Sequence, residues 1–167
     1  MGERVAVIGL GNTDRADDAA GILAVRALGG RVPEHVTLME GVDPVAILDQ
    51  WEKFDAAILV DAVRSGASPG TVHTFDGRSL PSHVRPHVVT LHGFHVRDVI
   101  ALGEVLGRLP RVVRVVGIEA AEFTPGAPPD TAVERAVEEA AQRIMEQIAL
   151  IAASDASPDG GFSKRPQ

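Results

Sequence analysis

Two hydrophobic patterns alternate along this chain, and together they predict its secondary structure. Short apolar runs, typical of buried strands, lie at 5–8, 35–39, 56–60, 72–75 and 112–118. Stretches in which apolar residues recur with helical period predict helices at 17–28, 44–51, 96–106 and 131–151. Strands that alternate with helices favour a parallel sheet covered on both faces. We therefore predict an α/β fold, a three-layer α/β/α sandwich around a mostly parallel, twisted, five-stranded sheet.

The remaining segments define the predicted boundaries of the domain. Residues 76–91 contain Pro81 and Pro86 and follow no clear period, so they are predicted to form a long functional loop. Residues 153–167 are rich in Ser, Asp, Gly and Pro, a composition typical of a disordered C-terminal tail. Because a chain of 167 residues has the size of one domain, residues 1–152 are predicted to form a single α/β domain.

The composition limits the partners and the chemistry of the chain. A formal net charge of −7 argues against binding to nucleic acid or to an anionic membrane surface, since both need clustered Lys and Arg. The chain has no cysteine, so any metal must be held by oxygen and imidazole ligands. No apolar run approaches the roughly 18 residues of a membrane span, and residues 1–8 do not resemble a signal peptide. The cytoplasm is therefore the expected location.

Three polar side chains stand at the ends of predicted elements. Asp18 follows the first strand, Asp61 comes directly after the third strand, and His92 lies at the end of the long loop. Ligands of parallel α/β sheets gather outside the carboxyl ends of the strands. Two carboxylates and an imidazole would suit zinc, nickel, manganese or iron. Each residue also has a plainer interpretation: Asp18 as a charge at a helix N-terminus, Asp61 as a turn cap, and His92 as a surface histidine.

The turn Gly9-Leu10-Gly11 also invites a dinucleotide-binding interpretation, in which backbone amides at a helix N-terminus hold a pyrophosphate. The third glycine of that motif should fall at position 14, where this chain has Asp14. Carboxylates near a phosphate group would repel it. The nucleotide alternative is therefore disfavoured.

Four motifs, in this order, resemble those of the hydrogenase maturation endopeptidases, the proteases of nickel-iron hydrogenase assembly. They are Gly9-Leu10-Gly11-Asn12, Asp17-Asp18-Ala19-Ala20-Gly21, Ile58-Leu59-Val60-Asp61-Ala62 and Val116-Gly117-Ile118-Glu119. The resemblance continues through Pro69-Gly70-Thr71 and through Leu91-His92, and it covers roughly residues 4–150. Each motif is common by itself, but their order and intervals together are specific.

The resemblance implies a monomeric α/β/α endopeptidase. Members of this family remove a C-terminal extension from the large-subunit precursor of a [NiFe] hydrogenase once nickel has been installed. The metal-contacting positions of the family fall here on Asp18, Asp61 and His92, which are expected to be both metal-binding and catalytic. They would bind nickel that arrives with the substrate, with zinc or cadmium as surrogates, rather than a permanent cofactor.

The predicted substrate cleft includes one departure from the family. Asn12, Asp17 and Gly41 are expected to line this cleft. After the second strand the family commonly has Gly-Thr in a loop of small residues, whereas this chain keeps Gly41 and then departs from that pattern. Asp43 is expected to be the N-cap of the helix that begins at Pro44 rather than a catalytic residue.

Two other functions stay open on the sequence alone. A fold does not determine a function, so the same residues could serve a different metal-dependent amide hydrolase. The chain could also be a chaperone that binds the metal and the precursor without cutting it.

Overall fold

The computed structural model describes residues 3–41, 43–86 and 96–155. Its strands are β1 Val5–Gly9, β2 Val36–Glu40, β3 Ala56–Arg64, β4 Val72–Asp76, β5 Arg85–Pro86 and β6 Val112–Glu119. Its α-helices are α1 Ala20–Arg26, α2 Pro44–Trp51, α3 Val96–Val105 and α4 Thr131–Asp155. Two short 3-10 helices lie at Ala16–Ala19 and Gly77–Ser79. None of the helices in these three ranges is long and apolar enough to cross a membrane.

The strands form one sheet in the order β2-β1-β3-β6-β4. The pairings from β2 to β6 are parallel, and β4 joins the edge of β6 antiparallel. The short strand β5 pairs antiparallel with the end of β3, at Val63 and Arg64. The predicted mostly parallel α/β fold is confirmed, with β5 as an added strand inside the segment predicted to be a loop.

Helices cover both faces of this sheet and divide the core in two. On one face, Ile58 and Val60 of β3 belong to a buried cluster that includes residues of α1 and α4. On the other face, Leu59 belongs to a second cluster with residues of α2 and α3. Since successive side chains of a strand point to opposite faces, the central strand is apolar throughout its first half. The three-layer arrangement follows from that pattern.

Several element ends differ from the predicted ones. The prediction that Asp61 follows its strand is wrong, because β3 continues to Arg64. Its pairing continues there since β6 extends alongside it to Glu119 and β5 pairs with its last residues. The helix predicted from residue 17 begins instead as the 3-10 helix, and α1 ends at Arg26. Helix α4 runs to Asp155, past the predicted start of the tail, and residues 156–167 lie outside the described part.

The start of α2 agrees with the sequence prediction. The Asp43 carboxylate accepts a hydrogen bond from the Val45 N–H at 2.8 Å, so Asp43 is the N-cap of a helix that begins at Pro44. A side-chain acceptor at this position satisfies one of the N–H groups that the first turn of a helix leaves unpaired.

Gly21 allows α1 to lie against the ends of β1 and β3. A Cβ atom at this position would collide with the carbonyl oxygen of Val60 and would lie 2.6 Å from that of Leu10. Both oxygens belong to backbone that cannot move independently of the sheet. The first turn of α1 can therefore come this close only without a side chain.

We expect Gly21→Ala to destabilise the protein. Alanine is the better helix former by about 1 kcal/mol, but overpacking against rigid backbone should outweigh this and leave a net loss of about 1–3 kcal/mol. Urea unfolding would measure the change. Gly29→Ala is a suitable control, since its Cβ would meet only the Arg26 carbonyl oxygen at 3.3 Å, and its effect should stay below about 1 kcal/mol. A more stable Gly21→Ala protein would contradict the close-approach argument.

Candidate functional site

The strand order of the sheet reverses between the neighbouring strands β1 and β3, and the place beyond their carboxyl ends is called the crevice below. Their parallel register ends at Gly9 and Val60, and the Leu10 N–H then donates to the Val60 carbonyl oxygen at 2.8 Å. In the sheet, β2 is the neighbour of β1 on one side and β3 is its neighbour on the other side, so the chain changes direction across the sheet after β2. In open α/β sheets such a point, at which the strand order reverses, is where ligands bind.

Asp18 borders this crevice from the 3-10 helix that follows β1. Its residue surface is 6% exposed, and the Asn12 N–H donates to its main-chain oxygen at 3.2 Å. The carboxylate atom Oδ1 is buried and has no hydrogen-bond partner among the described residues. Burial raises the pKa of Asp18, against the opposing effects of the Arg15 charge and of the Asn12 backbone amide. Asp18 is thus a buried acceptor that a cation would stabilise.

Asp61 borders the crevice from β3, one residue beyond the last pair with β1. It is fully buried and pairs in register with Gly117 of β6. It lies on the same face of the strand as Leu59, which packs on the side of α2 and α3. The 3-10 helix that carries Asp18 contacts β3, so the structure brings these two predicted carboxylates to the same end of the sheet.

His92, the third predicted ligand, lies outside the described residues, so its place in the site stays a prediction. Within 3–41, 43–86 and 96–155, no group of three or more His, Cys, Asp or Glu side chains could hold a metal ion. The described part of the site therefore supplies two carboxylates.

The carboxylate of Asp17 differs from that of its neighbour Asp18 in its hydrogen bonds. Its fully buried carboxylate accepts hydrogen bonds from the N–H groups of Ala121, Glu122 and Asp130, at 2.7, 2.8 and 2.6 Å. These bonds join the 3-10 helix to the segment between β6 and α4. We interpret Asp17 as a residue that anchors the Asp18-bearing turn, and its predicted place in the substrate cleft stays a prediction.

Asn12 and Gly41, the other two predicted cleft residues, line one groove of about 310 Å³ beside the crevice. Gly41 has a φ of +63° and space around its Cα, while the Asn12 side chain accepts a hydrogen bond from the Asp14 N–H at 2.8 Å. An ion pair of Arg26 and Glu40, with nitrogen–oxygen distances of 2.9 and 3.0 Å, also borders the groove. The structure thus brings Asn12 and Gly41 together, and their role in substrate binding stays a prediction.

A second buried carboxylate network at this end of the sheet was missed by the sequence analysis. Glu119, at the end of β6, is 2% exposed and accepts hydrogen bonds from Ser65 and Gly66. Its Oε2 atom lies 3.2 Å from Nε2 of His73. Glu119 belongs to a motif quoted for the resemblance, and its position at the end of an apolar strand was the signal that could have identified it. Ser65 and His73 carry no such signal.

The hydrogen bonds to Glu119 keep its carboxyl group ionised. Burial by itself would raise the pKa of Glu119, but the hydrogen bonds from the backbone and hydroxyl of Ser65, from the Gly66 backbone and from His73 outweigh it, so the pKa is lowered. The pKa values of Glu119 and Asp18 are shifted in opposite directions, although both carboxylates are buried at the same end of the sheet, because more hydrogen-bond donors surround Glu119.

These features define a class of protein, an α/β/α sandwich with buried carboxylates at the strand-reversal point of a mostly parallel sheet. A family model described as HycI, hydrogenase maturation protease, matches residues 24–147. A hydrogenase expression/formation protein, HupM, from Azotobacter chroococcum mcd 1 is 31% identical over 122 residues, or 71% of this chain and 58% of that protein. The chain therefore spans less than two thirds of this relative's length.

Solved structures show the same fold. The hydrogenase maturating endopeptidase HybD from E. coli has a TM-score of 0.76 at 24% identity, with 88% of this chain and 93% of that chain covered. A [NiFe] hydrogenase maturation protease HybD from Thermococcus kodakarensis has a TM-score of 0.68 at 27% identity, with 87% and 99% covered. The chain belongs to the hydrogenase maturation protease family. The resemblance inferred from the motifs is thereby confirmed.

We expect Asp17→Ala to lower the free energy of unfolding by about 3 kcal/mol or more, because it removes three buried hydrogen bonds to a charged acceptor. Urea unfolding would measure it. Asp130→Ala is a matched control that removes one exposed hydrogen bond, from the Ala132 N–H, and should lose about 1 kcal/mol. If Asp17→Ala matched the wild type in stability, Asp17 would not be the anchor described above.

We expect Asp18→Asn to stabilise the protein by about 1 kcal/mol at pH 7 in the absence of divalent metal, since it removes a buried charge with too few donors. Thermal unfolding in the presence of a chelator would measure the change. Asp14→Asn, on the exposed neighbouring turn, should change stability by less than about 0.5 kcal/mol. A destabilised Asp18→Asn protein would show that its charge is already compensated.

Proposed function

We propose that this chain removes the C-terminal extension from a nickel-loaded precursor of a [NiFe] hydrogenase large subunit. The observation that carries this proposal is the pair of buried carboxylates, Asp18 and Asp61, at the strand-reversal point of a chain that belongs to the hydrogenase maturation protease family. The fold and the family support the protease activity. The precursor as substrate, and recognition of its nickel, are inferences from that support.

The chemistry of the two carboxylates fits a divalent cation. Ionised carboxylates buried at this depth destabilise the protein unless they are paired, hydrogen-bonded or bound to a metal. Asp18 has a buried oxygen without a hydrogen-bond partner among the described residues, so a cation bound there would satisfy it. His92 would complete a set of two oxygens and one imidazole nitrogen, which nickel and zinc both accept.

In the proposed reaction the carboxylates bind the substrate through its metal rather than through the peptide sequence. Asp18 and Asp61 would orient the nickel-bearing part of the precursor, which holds the scissile peptide in the crevice. A metal bound there supplies a Lewis acid for a carbonyl group and a site for activating water. The groove beside Asn12 and Gly41 would receive the adjoining peptide segment. Because the site needs the ion for binding, precursors without nickel would escape cleavage.

The test is incubation of the purified chain with nickel-loaded and nickel-free forms of a large-subunit precursor, followed by intact-mass analysis. We expect cleavage of the nickel-loaded form only. Asp18→Asn, Asp61→Asn and His92→Ala should each lower the rate more than about 100-fold, since replacing even residues around a metal ligand lowers metal affinity 10–100-fold. Asp49→Asn, on the exposed side of α2, is the control and should cleave at the wild-type rate.

Other outcomes separate the alternatives. Association with a precursor of unchanged mass would favour a non-cleaving chaperone, and cleavage of unrelated peptides would favour a general amide hydrolase. Wild-type rates in the three site variants would exclude the proposed site. Binding of zinc or cadmium alone, measured by titration calorimetry, tests the same ligands without a substrate. A monomeric state and a cytoplasmic location stay predictions.

A further inference from the structure

The Glu119 carboxylate joins three elements at the carboxyl end of the sheet. Its Oε1 accepts the N–H groups of Ser65 and Gly66, at 2.8 and 3.1 Å, and its Oε2 accepts the Ser65 hydroxyl at 2.7 Å. His73, on β4, contacts the same Oε2 atom and stacks on Phe75. A buried side chain with this many partners fixes the positions of the groups around it.

The main chain of Glu119 closes the other end of the same loop. Its carbonyl oxygen accepts the Gly70 N–H at 2.8 Å, and its N–H donates to the Thr71 oxygen at 2.8 Å. The carboxylate therefore holds the start of the segment 65–70, and the backbone of the same residue holds its end. One residue of β6 thus determines where the chain goes when it leaves β3.

Beyond Val60 the end of β3 has lost β1 as a neighbour and keeps β6 on one side only until β5 begins. The pairing with β1 ends at Val60, and β5 pairs only from Val63 onward, so Asp61 lies between these two contacts. On its other side, β3 pairs with β6 from Ala56 to Val63, and that ladder ends at Glu119. The Glu119 contacts with Ser65 therefore tie down the strand segment that carries Asp61.

A serine nucleophile is a poorer interpretation of the same residues. In a catalytic triad the serine and the carboxylate bind different ring nitrogens of the histidine. Here Nε2 of His73 lies 3.4 Å from the Ser65 hydroxyl and 3.2 Å from Glu119, so one nitrogen contacts both. The N–H groups of Ser65 and Gly66 are already bound to Glu119 and could not stabilise an oxyanion.

We propose that Glu119 is a positioning residue of the candidate active site, which acts through Ser65 and the end of β3 to hold Asp61 in its reactive place. This inference rests on the proposed function, because it assigns Asp61 a role in cleavage. It goes beyond that function in naming a residue that contacts neither metal nor scissile peptide. Its loss would move Asp61 without removing any ligand.

The experiment compares Glu119→Ala and Glu119→Gln with the wild type at a temperature at which circular dichroism shows all three to be folded. We expect Glu119→Ala to lower kcat for precursor cleavage by about 10–100-fold with KM within about twofold, since small displacements of reactive groups cost this much. Glu119→Gln keeps an oxygen for the two backbone N–H groups and should lose less. Hydrogen exchange, followed by mass spectrometry, should be at least about tenfold faster at residues 61–66 in Glu119→Ala.

Asp55 provides a matched control at the opposite end of β3. Its carboxylate accepts the Arg4 N–H at 2.8 Å, so Asp55→Ala removes a single, exposed backbone anchor of the same strand, far from the crevice. We expect this variant to keep the wild-type kcat and unchanged exchange at residues 61–66. Should Glu119→Ala fail to fold, Ser65→Ala removes one bond to Oε2 and should lower kcat in the same direction.

The outcomes distinguish this inference from the proposed function. If the wild type cleaves the precursor and a folded Glu119→Ala protein has an unchanged kcat, the positioning role is wrong and the proposed function stands. If the wild type does not cleave, the proposed function fails, and the exchange rates at residues 61–66 still decide whether Glu119 holds this strand. Equal losses of kcat in Asp55→Ala and Glu119→Ala would contradict the positioning role, because they would show that the loss comes from a general destabilisation of the fold.

Discussion

The parallel pairing of β1 with β3, and its end at Gly9 and Val60, determines where everything else in the site can lie. Up to that pair the two strands are held by the regular ladder and by apolar packing on both faces. Beyond it, the Leu10 N–H makes a last bond to Val60, and the chain turns into the 3-10 helix that carries Asp18. Gly21 then lets α1 come close enough to cover the junction.

The buried carboxylates at this junction are of two kinds, structural anchors and a candidate cation ligand. The number of hydrogen-bond donors around each carboxylate distinguishes the two kinds. Asp17 and Glu119 are bound by backbone N–H groups and stabilise the chain segments around the crevice. Asp18 is buried with a raised pKa and a carboxylate oxygen left without a partner in the described ranges. Buried charge that the fold does not compensate is characteristic of sites that bind a cation. A buried carboxylate is therefore structural at Asp17 and Glu119 and available for chemistry at Asp18.

The local pattern of apolar and capping residues in the sequence was sufficient to predict most of the strands and helices. The apolar runs predicted five of the strands, most clearly the central ones, because strands buried on both faces are apolar throughout. Helix α2 was predicted with its N-cap, since Asp43 before Pro44 is a purely local signal. The carboxyl end of β3 and the short strand β5 were not predicted, because both depend on partners distant in the chain. A polar residue such as Asp61 interrupts an apolar run without ending the strand when the neighbouring strand continues.

By itself, the sequence determined the fold class and the family resemblance, and it predicted Asp18 and Asp61 as site residues because ligands of parallel α/β sheets gather at the carboxyl ends of the strands. The tertiary structure alone decided which hydrogen bonds each carboxylate makes. Asp17 and Asp18 are adjacent in the chain and no sequence pattern distinguishes them, yet Asp17 accepts three N–H groups of the segment between β6 and α4, and Asp18 has a buried oxygen without a partner in the described ranges. Hydrogen-bond partners more than a hundred residues away carry no local signal, so only the folded chain distinguishes the anchor from the candidate ligand.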